Sequence, residues 1–159
     1  MELLDSSGGV ALVLIFFIAF VAIAIFFLLT QYNTLKAIQP QNRAMSPGEV
    51  WLQLIPLFNL VWQFIVVQRI SESISRELSS NTFSFEENQP IQLYQQGNRP
   101  TYQIGMAMCV LNVVGLVPLI GALARFAGLI CWIIYWVQLS NYKNQIISRN
   151  YSVTPPSTP

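Results

Sequence analysis

Val10–Leu29 reads VALVLIFFIAFVAIAIFFLL, twenty consecutive residues without a polar side chain. Coiled as an α-helix, such a run is ~30 Å long, the thickness of a bilayer's hydrocarbon. Its flank separates anchor from signal sequence. The residues before it, Met1-Glu-Leu-Leu-Asp5, are acidic, whereas a secretory leader begins with positive charge and carries a shorter apolar run. The stretch therefore predicts a retained transmembrane helix over about 9–30.

The rest of the chain fits that solvent. Of 159 residues, 53% are hydrophobic and 9% charged, against about a quarter charged in a soluble domain. A second apolar run, Val50–Val67, predicts a crossing over 49–68. Ser46-Pro47-Gly48-Glu49 reads as its start, with Ser46 as cap and Glu49 at the positive helix end. Pro56 removes a backbone donor and predicts a bend there. Beyond Val67 the spacing of Ile70, Ile74 and Leu78 continues the helix into water as an amphipathic stretch. The polar segment Thr30–Ser46 reads as a connection. A third apolar region, Tyr102–Leu139, is too long for one crossing and is broken at Pro118 and Gly121. It predicts helices over 103–118 and 121–140. Residues 79–101 read as a polar loop and 153–159, rich in proline, as a disordered tail.

The expected fold is thus all-α: a polytopic membrane protein with four transmembrane helices, forming one domain over 1–152. Small residues recur along the last two predicted helices at Gly105, Cys109 and Asn112, and at Gly121, Ala124, Gly128 and Cys131. In lipid, such stripes let backbones approach. A tight hairpin centred on Ile120 would pair Gly105 with Tyr135, Cys109 with Cys131, and Asn112 with Gly128. Trp132, Tyr135, Trp136 and Tyr142 read as an aromatic girdle at the membrane boundary.

Little chemistry is on offer. Histidine is absent, which removes the commonest metal ligand and general base. Cys109 and Cys131 lie in apolar runs without a metal-binding or redox spacing. All seven acids lie outside the predicted spans or at their edges, so no carboxylate marks an ion path. Arg125, one turn into the last helix, is expected to snorkel to the headgroups. Gln53, Asn59, Gln63 and Asn112 are polar residues inside spans. They could line a polar path, but interhelical hydrogen bonding is the expectation. Asn150-Tyr151-Ser152 matches the glycosylation acceptor pattern. No catalytic, cofactor-binding or metal-binding residue is expected, and no cofactor. A net charge of +1 gives no footprint for nucleic acid.

Arg43-Ala-Met-Ser-Pro-Gly48, followed by Pro56-Leu-Phe-Asn59 and the amphipathic exit Val67–Ile74, resembles the bacterial membrane family called domain of unknown function 4328. The resemblance implies a bacterial inner-membrane location and brings no activity or site residues. A fainter internal echo links Leu54-Ile-Pro-Leu57 to Leu116-Val-Pro-Leu119.

Three function classes follow. The leading one is a small accessory, scaffold or interaction subunit, its partners the lipid bilayer and other membrane proteins or further copies of itself. The alternative is a component of an oligomeric channel or transporter. An intramembrane enzyme is not expected. Counting basic residues over four spans gives five on the side shared by both termini and three on the other, favouring cytoplasmic termini. The flanks of the first helix, acidic before and basic after, argue the opposite.

Overall fold

The computed structural model describes residues 6–80, 99–117 and 120–153. Most of the expected polar loop, the Pro118 breaker and residues 154–159 of the expected tail lie outside them. The described residues form four α-helices, two 3-10 helices and no strand. The α-helices are α1 (Ser6–Ala37), α2 (Pro56–Ser80), α3 (Tyr102–Val114) and α4 (Gly121–Val153); the 3-10 helices are Pro40–Asn42 and Pro47–Leu54.

Several boundaries differ from expectation, each for a physical reason. Helix α1 runs through the polar stretch to Ala37 because Leu35 and Ile38 are wholly buried against the other helices. Residues 49–68 are not one bent helix. Ile55 is extended, with φ −83° and ψ 109°, and separates the 3-10 helix Pro47–Leu54 from α2. A residue before proline is pushed out of the helical region, while proline itself suits the first helical position. Pro56 therefore starts α2 instead of kinking it. As the spacing predicts, α2 continues to Ser80 with Ile70, Ile74 and Leu78 buried. Helix α3 ends at Val114, and α4 runs on to Val153, well past the expected 140.

Two helices, α1 and α4, are long and apolar enough to cross a membrane. The thirteen residues of α3 reach only ~20 Å. The four expected spans thus reduce to two helices of sufficient length among the described residues.

Pairwise contacts fix the directions of the helices. Phe27 packs on Trp132, Thr30 accepts from Trp136 Nε1 at 2.9 Å, and the Ala37 carbonyl accepts from Asn150 Nδ2 at 3.3 Å. The numbers rise together, so α1 and α4 run parallel. Across α3 and α4 they run oppositely. A Cβ on Gly128 would lie 3.4 Å from Asn112 Oδ1, and one on Gly105 would lie 2.9 Å from Tyr135 Cε2. Both pairs keep the register centred on Ile120. Helix α2 is antiparallel to α3, with Gln63 meeting Asn112 and Ser71 meeting Pro100. The 3-10 helix folds back along α2, and Trp62 Nε1 donates to the Glu49 carbonyl at 3.0 Å.

The chain therefore makes one long helix and two hairpins whose tips, near Ile55 and Leu116, lie at the same end as the start of α1. Burial follows this layout. Among the described residues, every exposed large hydrophobic residue except Ile147 lies in 10–26, 52–61 or 110–137. The buried core, including Leu35, Ile70, Ile74, Leu139 and Ile146, lies mainly toward the opposite end. The molecule has an apolar end, clad in exposed Leu, Ile, Val and Phe, and a charged end with a packed interior.

Candidate functional site

Polar groups gather in three places. The first is at the charged end, where α2 holds the connection between α1 and the 3-10 helix. Glu77 is 1% exposed. Its Oε2 accepts from Asn42 Nδ2 at 2.6 Å and from the Gln39 backbone N–H at 3.1 Å. Its Oε1 is buried without a partner. Ser73 Oγ accepts from the Ala44 N–H at 2.8 Å, and Arg69 donates to the Ala44 carbonyl at 3.1 Å. Arg43 turns back to donate to the Ile38 and Lys36 carbonyls, satisfying orphan acceptors at the end of α1. The Ser46 N–H donates to Glu49 Oε1, one half of a capping box. The sequence analysis placed Glu77 only among the acids outside the predicted spans or at their edges. Yet it lies seven residues after Ile70 and three after Ile74, on the buried stripe of α2, and that spacing is the signal that could have found it.

The second place is a seam inside the apolar end. Gln53 Nε2 donates to Gln31 Oε1, and Asn112 Nδ2 donates to Gln63 Oε1 at 3.4 Å. These are the interhelical bonds expected of the amides, worth on the order of 1 kcal/mol each. Gln31 was not foreseen, because it follows the apolar run and read as connection. Asn59 Oδ1 is buried without a partner. Arg125, expected to snorkel, is exposed, and its Nε donates to the Gly115 carbonyl at 2.9 Å, which closes the end of α3. Tyr135, expected in the aromatic girdle, faces inward. It is fully buried, and Phe27 meets it together with Trp132 and Trp136 at centroid distances of 5.3–6.1 Å.

The third is a pocket of about 460 Å³ between the first turn of α3 and the outer part of α4. Arg99, Thr101, Gln103, Gln138, Asn141 and Gln145 supply its polar lining. Thr101 holds a left-handed backbone at φ 67°.

These places do not combine into a catalytic array. Among the described residues no group of His, Cys, Asp and Glu is arranged to hold a metal ion. Cys109 and Cys131 are free thiols.

The family described as Domain of unknown function (DUF4328) matches residues 2–94, more than half of the chain. The chain belongs to this family. No curated protein and no solved structure matches it. The DUF4328 region takes in α1, both 3-10 helices and α2, and the α3–α4 hairpin lies beyond it. The residues behind the resemblance have structural duties there. Arg43 caps α1, Ser46 and Glu49 start the 3-10 helix, and Pro56 starts α2. Within the DUF4328 region, the polar cluster that centres on Glu77 locks that connection to α2.

Proposed function

We propose that this chain is a multi-pass integral membrane protein acting as an accessory or interaction subunit, with its charged end in the cytoplasm. The band of exposed apolar side chains carries the reading. Residues 10–26 of α1 and 121–137 of α4 each supply 17 residues, or ~25 Å of helix, close to the hydrocarbon thickness of a bilayer. In this layout α1 crosses once, and the two hairpins enter from the charged side.

The orientation rests on charge. Lys36, Arg43, Arg69, Arg76, Arg99, Lys143 and Arg149 belong to the charged end, and Arg125 alone to the apolar end. Seven basic residues against one is a strong positive-inside bias. It also removes the conflict between the loop count and the flanks of the first helix. That conflict came from treating residues 49–68 as a crossing. With the hairpin layout, the start of α1 lies outside and the end of α4 inside, in place of two cytoplasmic termini.

The subunit reading follows from α1, whose residues 10–23 are exposed on every side. A helix so bare in one chain is fit to contact lipid and a neighbouring helix at once. The channel or transporter reading leans on the unpartnered Asn59 Oδ1 and requires several copies to enclose a path.

Two measurements test the proposal. Alkaline extraction should leave the protein in the membrane, and a reporter fused after Pro159 should report cytoplasm; release or an external signal would refute membrane integration or orientation respectively. Purification in mild detergent should give a fixed-stoichiometry assembly that Phe16→Ala with Phe20→Ala dissociates. A monodisperse monomer unaffected by those changes would refute the subunit role.

A further inference from the structure

The pocket between α3 and α4 has a defined depth. The register of the hairpin sets Tyr102 opposite Gln138, one residue beyond Val137. Val137 is the last large exposed apolar residue of α4 before the charged end, Ile147 excepted. The pocket therefore opens where the lipid-facing surface stops. This placement rests on the membrane reading above.

Its chemistry is donor-rich. Helix α3 begins without a side-chain cap. The Tyr102 N–H goes to the Arg99 carbonyl at 3.2 Å and the Gly105 N–H to the Thr101 carbonyl at 3.0 Å. The first-turn N–H groups of Gln103 and Ile104, both pocket residues, find no such acceptor among the described residues. Unfilled N–H groups and the positive end of the helix dipole favour an anion. Arg99 stands at the same place, its guanidinium 5.8 Å from the centroid of the Tyr102 ring. Among the described residues no carboxylate lines the pocket, while Gln138, Asn141 and Gln145 add amides along one face of α4.

The local backbone keeps this turn open. Thr101 sits in the left-handed region, which costs a non-glycine residue about 1–2 kcal/mol. Its hydroxyl is buried without a hydrogen bond. A buried bond of 2.6 Å from Ser71 Oγ to the Pro100 carbonyl holds the turn on α2. Strain and an unmet polar group at one residue of a pocket suit a turn shaped for a ligand.

We propose that this pocket binds the headgroup of an anionic glycerophospholipid. The phosphate takes Arg99 and the free N–H groups of Gln103 and Ile104. The polyol hydroxyls take the amides of Gln138, Asn141 and Gln145. Ile104 and the apolar surface below give the acyl chains their direction. The recognised chemistry is a phosphate ester of a polyol, and its depth favours the lipid over the free ester.

The test uses the full chain in phosphatidylcholine nanodiscs with graded phosphatidylglycerol, with bound lipid read by native mass spectrometry after detergent release. Wild type should retain phosphatidylglycerol in preference to phosphatidylcholine. Arg99→Gln and Asn141→Leu should each lower that occupancy about tenfold, the scale of a charge-assisted bond or a blocked site. Arg76→Gln, which touches only an exposed ion pair with Glu72, should leave it unchanged, and unchanged circular dichroism should accompany all three. Equal retention in every variant would mean annular lipid and overturn the proposal. Displacement by millimolar glycerol phosphate would assign the pocket to the soluble ester and overturn the lipid. A chain that fails to enter nanodiscs refutes the membrane reading; one that enters without lipid preference refutes the pocket alone.

Discussion

A Cβ placed on Gly121 would stand 2.6 Å from the carbonyl oxygen of Gly115. The same carbonyl accepts from Arg125 Nε, so the end of α3 is gripped from two sides by the start of α4. Backbone cannot yield as a flexible side chain can. Gly121→Ala is expected to destabilise the hairpin by about 1–3 kcal/mol, read as a lower melting temperature in detergent. Gly9→Ala, where nothing lies within 4 Å, should melt with wild type.

Gly105 and Gly128 should respond differently to the same change. A Cβ on Gly105 would lie 2.5 Å from Val67 Cγ1 and 2.9 Å from the buried Tyr135 ring. On Gly128 the nearest atoms are at 3.4 Å, ordinary contact. Gly105→Ala is thus expected to cost about 1–3 kcal/mol by overpacking, and Gly128→Ala little. Gly128→Leu should disrupt the pairing, because the added carbons meet Leu111 and Asn112. Leu129→Ile on the exposed face should be neutral. Equal melting of Gly105→Ala and Gly128→Ala would refute this ranking.

Much of this architecture was legible in the sequence, for physical reasons. The unbroken run Val10–Leu29 predicts a helix long and apolar enough to cross a membrane, as α1 is. The i, i+4, i+8 spacing of Ile70, Ile74 and Leu78 admits one buried face. The small residues Gly105, Asn112 and Gly128 predicted the α3–α4 register, because close backbone approach requires them. What escaped depended on long-range contacts. Composition could not reveal that Ile55 would break residues 49–68 into a hairpin, although the pre-proline restriction hinted at it. That reversal makes α1 and α4 parallel. The burial of Leu35, Ile38 and Tyr135 escaped because it needs partners far away in the chain. Gln138, Asn141 and Gln145 share the i, i+3, i+7 spacing of one helix face, but the pocket was invisible because Arg99 and Thr101, which complete it, lie more than 35 residues away in the chain. The echo of Leu54-Ile-Pro-Leu57 in Leu116-Val-Pro-Leu119 gains some sense, since Leu54 and Leu116 both sit at hairpin tips.

Glu77 offers a third prediction. Glu77→Ala leaves the Gln39 N–H without its acceptor and Asn42 Nδ2 with Ser80 Oγ alone. One unmet donor, with two lost hydrogen bonds, costs about 1–3 kcal/mol. The connection over residues 38–46 should then loosen from α2. Faster hydrogen exchange confined to Gln39–Met45 would be the signature. Protection equal to wild type there would show that Ser73 and Arg69 hold the connection unaided.

The parallel arrangement of α1 and α4 is the feature on which orientation turns, and it can be tested without a membrane assay. Asn150 Nδ2 lies 3.3 Å from the Ala37 carbonyl, and Trp136 Nε1 lies 2.9 Å from Thr30 Oγ1. These contacts are 14 residues apart on α4 and 7 on α1, so they tie two levels of the pair, not one crossing point. Helix α4 rises ~21 Å between them and α1 ~10 Å, so the helices also diverge or cross along their length. In a background with Cys109→Ala and Cys131→Ala, Ala37→Cys with Asn150→Cys should cross-link through a short bismaleimide in nearly every molecule. Gly9→Cys with Asn150→Cys should not, because ~42 Å of helix separates residue 9 from residue 37. An antiparallel pair would reverse the two yields. That result would return the start of α1 to the side of Asn150 and restore an even number of crossings.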